Sequence, residues 1–205
     1  YRLNGETSYA LEGSIFVAGA ALQWLRDGLS LFEHASESEA MAKSLEGNDG
    51  VYFVPALTGL GAPYWQPDIR GAIMGLGRDT SSAHIARAAL EAQAYQTRDL
   101  VAAMVADIDA MPAVIRADGG LVANAFVCQF LADILQTEIE VPAVTEATAW
   151  GAASLAGIGA GVFSGIEDIE RVWQKQHDYM PVMAEGEADA LYAGWQRAVK
   201  SLLSE

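Results

Sequence analysis

A strand that leads through a turn into a helix constrains the fold of this chain more than any other feature. It occupies residues 71–91, GAIMGLGRDTSSAHIARAALE. The first seven residues are apolar with interspersed glycines, which is typical of a strand approached closely by other backbone. The polar stretch that follows predicts a turn, and the apolar periodicity after it predicts a helix opening at His84 and Ile85.

The same alternation of strand and helix continues along the chain. Short apolar runs predict strands at 51–54, 114–117 and 139–141, and the segment 8–16 is strand-like at its start. Apolar spacing of three and four residues predicts helices at 15–31, 38–45, 81–107, 121–135, 145–158, 166–174 and 189–203. Strands alternating with helices indicate an α/β fold. We find no internal repeat or linker, so one domain over residues 1–205 is the simplest interpretation.

The charge balance limits which partners the protein can have. The 205 residues are 52% apolar and 19% charged, so a packed core is expected. Lys and Arg number 12 against 27 Asp and Glu, a formal charge of −15. Nucleic acids and anionic membranes attract positive surfaces, so neither is expected as a partner. ATP is not excluded, because a small pocket can hold it with backbone N–H groups and Mg²⁺.

The single cysteine and the apolar runs point to the cell compartment. Cys128 lies in an apolar helical pattern and cannot form a disulfide within the chain, so we interpret it as a buried small hydrophobe in a reducing cytoplasm. No apolar run reaches the length of about 18 residues that a bilayer requires, and no signal peptide is recognised. The chain opens at Tyr1, and we expect it to be part of a longer protein.

A second informative segment spans residues 116–124, RADGGLVAN. A predicted strand ends there, Gly119 and Gly120 form a turn, and a helix is predicted from about Leu121. Glycines allow a ligand to lie against the backbone, and a helix start offers unpaired N–H groups. Asn124 follows Gly120 by about one turn, so its amide can reach the same space. A tight turn with a capped helix would have the same sequence, so both interpretations stay open from these residues alone.

The segment 71–91 resembles a signature of the FGGY carbohydrate kinases, which transfer phosphate from ATP to a sugar or polyol. The matching positions are Gly71, Gly75, Leu76, His84, Ile85, Ala88 and Glu91. Further similar runs lie at 9–13, 58–65, 94–99, 118–124 and 148–153. The similarity extends nearly from end to end. The loop TGLGAPYW at 58–65 is most similar to the glycerol-phosphorylating members of the family.

The resemblance implies an actin-like ATPase fold of the ribonuclease H-like type, in which this chain is the C-terminal half. It implies nucleotide contacts at Gly19 and Gln23, which share one helix face, and at Gly120 and Asn124. ATP or ADP and Mg²⁺ are the expected cofactors, glycerol is the expected substrate, and the complete enzyme is expected to be a homo-oligomer. The catalytic aspartate and the polyol-binding residues would precede Tyr1, so no catalytic residue is assigned here.

Other polar and aromatic residues receive structural interpretations. Arg98 and Asp99 are expected to form an ion pair on the helix. Asp118 is favoured as a turn residue that bonds local backbone N–H groups, with the ordering of Mg²⁺ or its waters near the phosphates as the alternative. Tyr64 and Trp65 are expected to bury their rings within their loop. The histidines lack partners at ligand spacing, so no metal site is predicted.

Two alternatives to a member of this family that phosphorylates glycerol remain open. One is a kinase of another polyol or sugar, such as xylulose or gluconate. The other is an actin-like interaction module without catalytic activity.

Overall fold

The computed structural model describes residues 2–3 and 5–203. In this part of the chain the helices are α1 (Gly19–Asp27), α2 (Glu37–Lys43), α3 (Ser82–Ile108), α4 (Ala125–Leu135), α5 (Ala147–Gly159), α6 (Ile166–Val172) and α7 (Glu185–Leu203). The strands are β1 (Arg2–Leu3), β2 (Glu6–Thr7), β3 (Tyr52–Val54), β4 (Ala72–Met74), β5 (Val114–Arg116), β6 (Glu138–Pro142) and β7 (Lys175–Tyr179). A 3₁₀ helix, Gly120–Ala123, precedes α4.

The long helix α3 is the centre of the molecule. Every residue from 86 to 96 is buried, so helices and strands cover α3 on all sides along that stretch. Its start is set locally, because the backbone N–H of Ser81 donates to Nδ1 of His84 at 3.1 Å and closes the first turn. The predicted helix at 81–107 and the helix-start role of His84 are confirmed.

A hairpin formed by β3 and β4 packs against α3. The two strands are antiparallel, with Phe53 opposite Ile73. Phe53 and Val54 are buried, so this hairpin covers one side of the core. Gly75 ends β4 with φ +78°, a conformation that glycine adopts without strain.

A second sheet has three strands in the order β5-β6-β7 and packs against α4. Strand β5 runs parallel to β6, with Ile115 opposite Ile139, and the chain crosses between them through α4. Strand β7 adds antiparallel to β6, with Tyr179 opposite Ile139. The sheet and its crossover helix confirm the predicted α/β class. Strand β7 was not predicted, because its sequence KQHDY is polar and four of its five residues are exposed.

Helix α7 seals the core against α3 and β3. The ring of Trp195 stacks on that of Tyr95 with 5.6 Å between centroids. Trp195 and Val199 are buried, as the predicted apolar stripe requires. The helix begins at Glu185, upstream of the predicted start at residue 189.

Three local predictions are wrong. Residues 8–16 contain no strand, and α1 begins at Gly19 rather than at residue 15. Trp65 does not bury its ring but is 61% exposed, in edge contact with Phe16, whereas its neighbour Tyr64 is half-buried. Loop conformation depends on contacts distant in sequence, which the local pattern does not contain. Within residues 2–3 and 5–203, no helix has both the length and the apolar character needed to cross a bilayer.

Candidate functional site

The four residues predicted to contact a nucleotide line one cavity of about 590 Å³. Gly19 and Gln23 come from α1, Gly120 from the 3₁₀ helix, and Asn124 from the start of α4. The volume lies in the range of small-molecule and cofactor sites. The remaining lining residues are Leu22, Arg26, Ala35, Ser36, Glu39, Asp118, Leu121 and Ala123. Two pairs from distant parts of the sequence are therefore brought together.

The turn after β5 presents bare backbone to this cavity. Gly119 has φ +85°, which requires glycine or strains another residue, and its N–H donates to the carbonyl of Thr145 at 2.9 Å. A Cβ atom added at Gly120 would meet no heavy atom within 4 Å. Packing within the protein therefore does not require glycine at position 120. The open space beside it is available to a ligand.

The first turn of α1 also lines the cavity. A Cβ atom at Gly19 would approach only Cγ of Leu121, at 4.0 Å, so this glycine also faces open space. Gln23 lies one turn further along the same face and is exposed. Among the described residues its amide has no hydrogen-bond partner, so both its donor and its acceptor are available to a ligand.

Asn124 has a structural role that the sequence did not indicate. The predicted helix at 121–135 is interrupted, since a 3₁₀ turn precedes α4 and Asn124 is the N-cap of α4. Its Oδ1 accepts from the N–H of Val127 at 3.2 Å, and its Nδ2 donates to Oγ of Ser38 at 3.4 Å. An amide nitrogen carries two hydrogens, so the second N–H remains for a ligand in the cavity.

Helix α2 supplies a wall that sequence reasoning missed. At the N-terminal end of α2, the cavity is lined by Ala35, Ser36 and Glu39. Oε2 of Glu39 accepts from the N–H of Ala125 at 3.1 Å, which joins α2 to the first turn of α4. The sequence around α2 carries no motif, and its only signal was a short helical pattern before a turn. The wall arises from tertiary contacts alone.

The charged side chains of the cavity are one arginine and two carboxylates. Nε of Arg26 lies 2.6 Å from Oδ1 of Asp27, and this hydrogen bond lowers the pKa of the Asp27 carboxyl. Glu39 is paired with Lys43. Asp118 is exposed, and no hydrogen bond joins its carboxylate to another described residue, so its expected bonding to local N–H groups is wrong. The cavity therefore carries little positive charge of its own.

Other side chains with catalytic or ligand-binding chemistry lie outside the cavity. Cys128 is 1% exposed, and burial raises the pKa of its thiol to about 11, which confirms the buried-hydrophobe interpretation. No group of three or more potential metal ligands occurs among residues 2–3 and 5–203. The expected Arg98–Asp99 ion pair is wrong, because Nη2 of Arg98 contacts Asp189 instead.

The sequence and the fold are both similar to known proteins. Residues 2–160 match the FGGY family of carbohydrate kinases, C-terminal domain. The chain is 59% identical over 203 residues to a glycerol kinase of Nitrosomonas eutropha, covering 99% of this chain and 41% of that protein. The chain thus spans about two fifths of the length of this curated relative.

Two solved structures share the fold. A Plasmodium falciparum glycerol kinase with ADP superposes with a TM-score of 0.85 at 33% identity, covering 93% of this chain and 38% of that one. A ligand-bound xylulose kinase from Lactobacillus acidophilus superposes with a TM-score of 0.81 at 25% identity, covering 94% of this chain and 40% of that one.

Proposed function

The chain belongs to the FGGY family of carbohydrate kinases, and we propose that it forms the nucleotide-binding half of an ATP-dependent glycerol kinase. Its α/β fold is that of the C-terminal domain of an actin-like, ribonuclease H-like ATPase. We take residues 1–205 as one domain, since α7 packs into the core built around α3. High identity to a glycerol kinase favours glycerol as the acceptor.

One observation carries the nucleotide assignment. Two stretches of bare backbone, at Gly19 and Gly120, face the same cavity, and the amides of Gln23 and Asn124 stand beside them. Glycine backbone allows a flat base and ribose to approach closely, while amides donate to and accept from their polar edges. The Plasmodium relative, which shares the fold, contains ADP, and this agrees with such a use of the cavity.

The phosphates of the nucleotide would lie beyond the adenosine pocket. Asp118 lines the cavity and has a carboxylate without a partner among the described residues, so it suits a water shell around Mg²⁺. Mg²⁺ usually binds through one or two carboxylates together with substrate phosphates, so a complete protein cage is not required. The ion would neutralise the phosphate charge during transfer.

Catalysis requires groups that we do not assign to this chain. We propose that the base for the glycerol hydroxyl and the polyol-binding residues lie in the part of the relatives that this chain does not cover. Closure of the two halves would position the γ-phosphate in line with the hydroxyl. The 205-residue chain alone is therefore expected to have no glycerol kinase activity. We also propose a cytoplasmic homo-oligomer for the complete enzyme.

Filling the cavity tests the nucleotide assignment. In the full-length protein, Gly120→Trp would occupy space in which a Cβ meets no atom within 4 Å. We expect ADP affinity, measured by calorimetry, to fall by more than about tenfold, with a small change in thermal stability. Gly186→Trp is the matched control, because Gly186 also faces open space but does not line the cavity. Equal ADP affinity in Gly120→Trp and the wild type would contradict the proposal.

A kinase of another polyol or sugar is the second candidate. The xylulose kinase structure superposes almost as well as the glycerol kinase structure, with TM-scores of 0.81 and 0.85. The nucleotide half therefore does not discriminate acceptors by fold. Measuring kcat/KM of the full-length protein on glycerol, xylulose and gluconate separates the two candidate functions. A higher kcat/KM on xylulose or gluconate would contradict glycerol as the acceptor.

A further inference from the structure

A buried arginine contacts the end of α2 that lies away from the cavity. Arg87 on α3 is 9% exposed, and its Nη1 donates to the carbonyl oxygens of Leu45 at 2.6 Å and Ala42 at 3.3 Å. Ala42 lies in the last turn of α2 and Leu45 follows the helix by two residues, so the guanidinium stands at the C-terminal end of α2, where a positive charge is favourable. The N-terminal end of the same helix brings Ser36 and Glu39 to the cavity. Movement of the Arg87 side chain would therefore displace α2 and, with it, the cavity residues Ser36 and Glu39.

A buried carboxylate fixes the orientation of that arginine. Oε1 of Glu91 accepts from Nε of Arg87 at 2.7 Å, and Glu91 is 1% exposed. Its Oε2 accepts from Nδ2 of Asn48 at 3.1 Å and from the hydroxyl of Tyr95 at 3.2 Å. Both carboxylate oxygens are engaged, so the guanidinium has little freedom to turn away from α2.

The same arginine also touches the helix that carries Asn124. Its guanidinium lies 5.3 Å from the centroid of the Phe126 ring, a cation–π contact close to Asn124 in sequence. Near the N-terminal end of α2, Oγ of Ser38 accepts from Nδ2 of Asn124, the N-cap of α4. Oε2 of Glu39 accepts from the first N–H of α4. Arg87 therefore contacts both helices whose facing ends border the cavity.

We propose that Arg87 and Glu91 are positioning residues for the nucleotide cavity. They hold α2 against the start of α4, so that Ser36 and Glu39 keep their places in the lining of the cavity. Neither side chain lines the cavity, so they act through α2 rather than by touching the ligand. The inference rests on the proposed function. It also gives Glu91, the last residue of the 71–91 segment, a purpose beyond core packing.

Nucleotide affinity in the full-length protein tests the proposal. Arg87→Lys keeps a positive charge, but one ammonium cannot serve Glu91 and both α2 carbonyls in the geometry of a guanidinium. We expect ADP to bind about tenfold more weakly and KM for ATP to rise, with KM for glycerol unchanged. Hydrogen exchange of the segment 35–45 should accelerate in the same variant, measured well below its unfolding temperature.

Two further variants separate positioning from general stability. Glu91→Gln keeps the shape of the side chain but replaces one accepting oxygen by an NH₂ group and leaves buried Arg87 without its counter-ion. It should lower thermal stability and weaken ADP binding by the folded protein. Arg98→Met is the matched control, since Arg98 is on the same helix and pairs with Asp189 away from the cavity. It should lower thermal stability and leave ADP affinity unchanged.

The outcomes distinguish this inference from the proposed function. Absence of ADP binding by the wild type would overturn both. ADP binding by the wild type, with the same affinity in folded Arg87→Lys and Glu91→Gln, would overturn the positioning role alone. If Arg87→Lys does not fold, Glu91→Gln decides by the same comparison. If Arg98→Met lost as much ADP affinity as Arg87→Lys or Glu91→Gln, the positioning role would also be overturned. The loss of affinity would then follow from lower stability rather than from the position of α2.

Discussion

The indole Nε1 of Trp195 on α7 donates to Oδ2 of Asp99 on α3 at 2.7 Å, across 96 positions of sequence. The other oxygen of the carboxylate accepts from the hydroxyl of Tyr192 at 2.5 Å. Asp99 is 5% exposed, and Trp195 is fully buried. The last helix is therefore fixed to the central helix by polar bonds as well as by ring stacking.

Loss of the indole donor should destabilise the protein. Trp195→Phe removes one buried hydrogen bond to a charged acceptor, so we expect the free energy of unfolding to fall by about 2 kcal/mol in urea denaturation. Trp65→Phe is the control, because Trp65 is 61% exposed and should change stability by less than about 0.5 kcal/mol. Equal effects of the two changes would contradict this role of Trp195.

Stability should depend on pH through Asp99. Burial raises the pKa of its carboxyl above the ordinary value of 3.8, while the bonds from Tyr192 and Trp195 oppose the shift. The folded state therefore binds the proton more tightly than the unfolded state. This contribution to stability is complete below the unfolded pKa and is lost as pH rises through the folded pKa.

The variant Asp99→Asn isolates this dependence, because it has a similar shape and no titration. The wild type should lose stability relative to Asp99→Asn as pH rises from the ordinary carboxyl value of 3.8 through the raised pKa of the folded state. Parallel urea titrations of both proteins measure the difference at each pH. A difference that stays constant, or that grows in favour of the wild type, would show that burial does not raise this pKa.

Gly75 should not tolerate a side chain. Its φ is +78°, and a methyl group there would overlap the carbonyl oxygen of Gly50. Gly75→Ala is expected to lower the free energy of unfolding by about 2 kcal/mol or more, measured by urea denaturation. Gly77→Ala serves as control, since the nearest atom to its Cβ would be Oγ1 of Thr80 at 3.9 Å. Its effect should stay within about 0.5 kcal/mol.

Cys128 should be unreactive while the protein is folded. Its thiol is 1% exposed, and its pKa is raised to about 11, so little thiolate exists near neutral pH. We expect slow alkylation by iodoacetamide at about pH 8 in buffer and fast alkylation in urea, followed by mass spectrometry. Rapid labelling of the native protein would show that α4 opens readily.

The amide of Gln23, which has no hydrogen-bond partner within residues 2–3 and 5–203, should contribute to nucleotide affinity. Gln23→Ala removes a donor and an acceptor from the cavity wall, and we expect ADP affinity to fall by about 1 kcal/mol in calorimetry. Gln66→Ala changes an exposed glutamine that does not line the cavity and should have no effect. Unchanged affinity in Gln23→Ala would remove this residue from the site.

The pattern of the sequence alone determined the elements whose signals are local. The helix at 81–107 was predictable from its apolar spacing, and β3 from its short apolar run. The resemblance to a kinase family supplied Gly19 and Gln23, which the local pattern would have assigned to ordinary helix packing. It also favoured the ligand-binding interpretation of Gly120 and Asn124, which the local pattern had left open. The net negative charge argued against nucleic acids and anionic membranes as partners, and the single cysteine favoured a reducing compartment. Net charge and cysteine count can be read directly from the composition.

Only the tertiary structure decided how these parts meet. Strand β7 is polar and exposed, so it forms because β6 offers an open edge rather than because its own residues favour a strand. Asn124 is an N-cap because a 3₁₀ turn delays α4, and Glu91 accepts hydrogen bonds from residues as far away as Asn48. Such contacts join segments tens of residues apart. Local periodicity carries no information about them, since the partner of each group is chosen by packing.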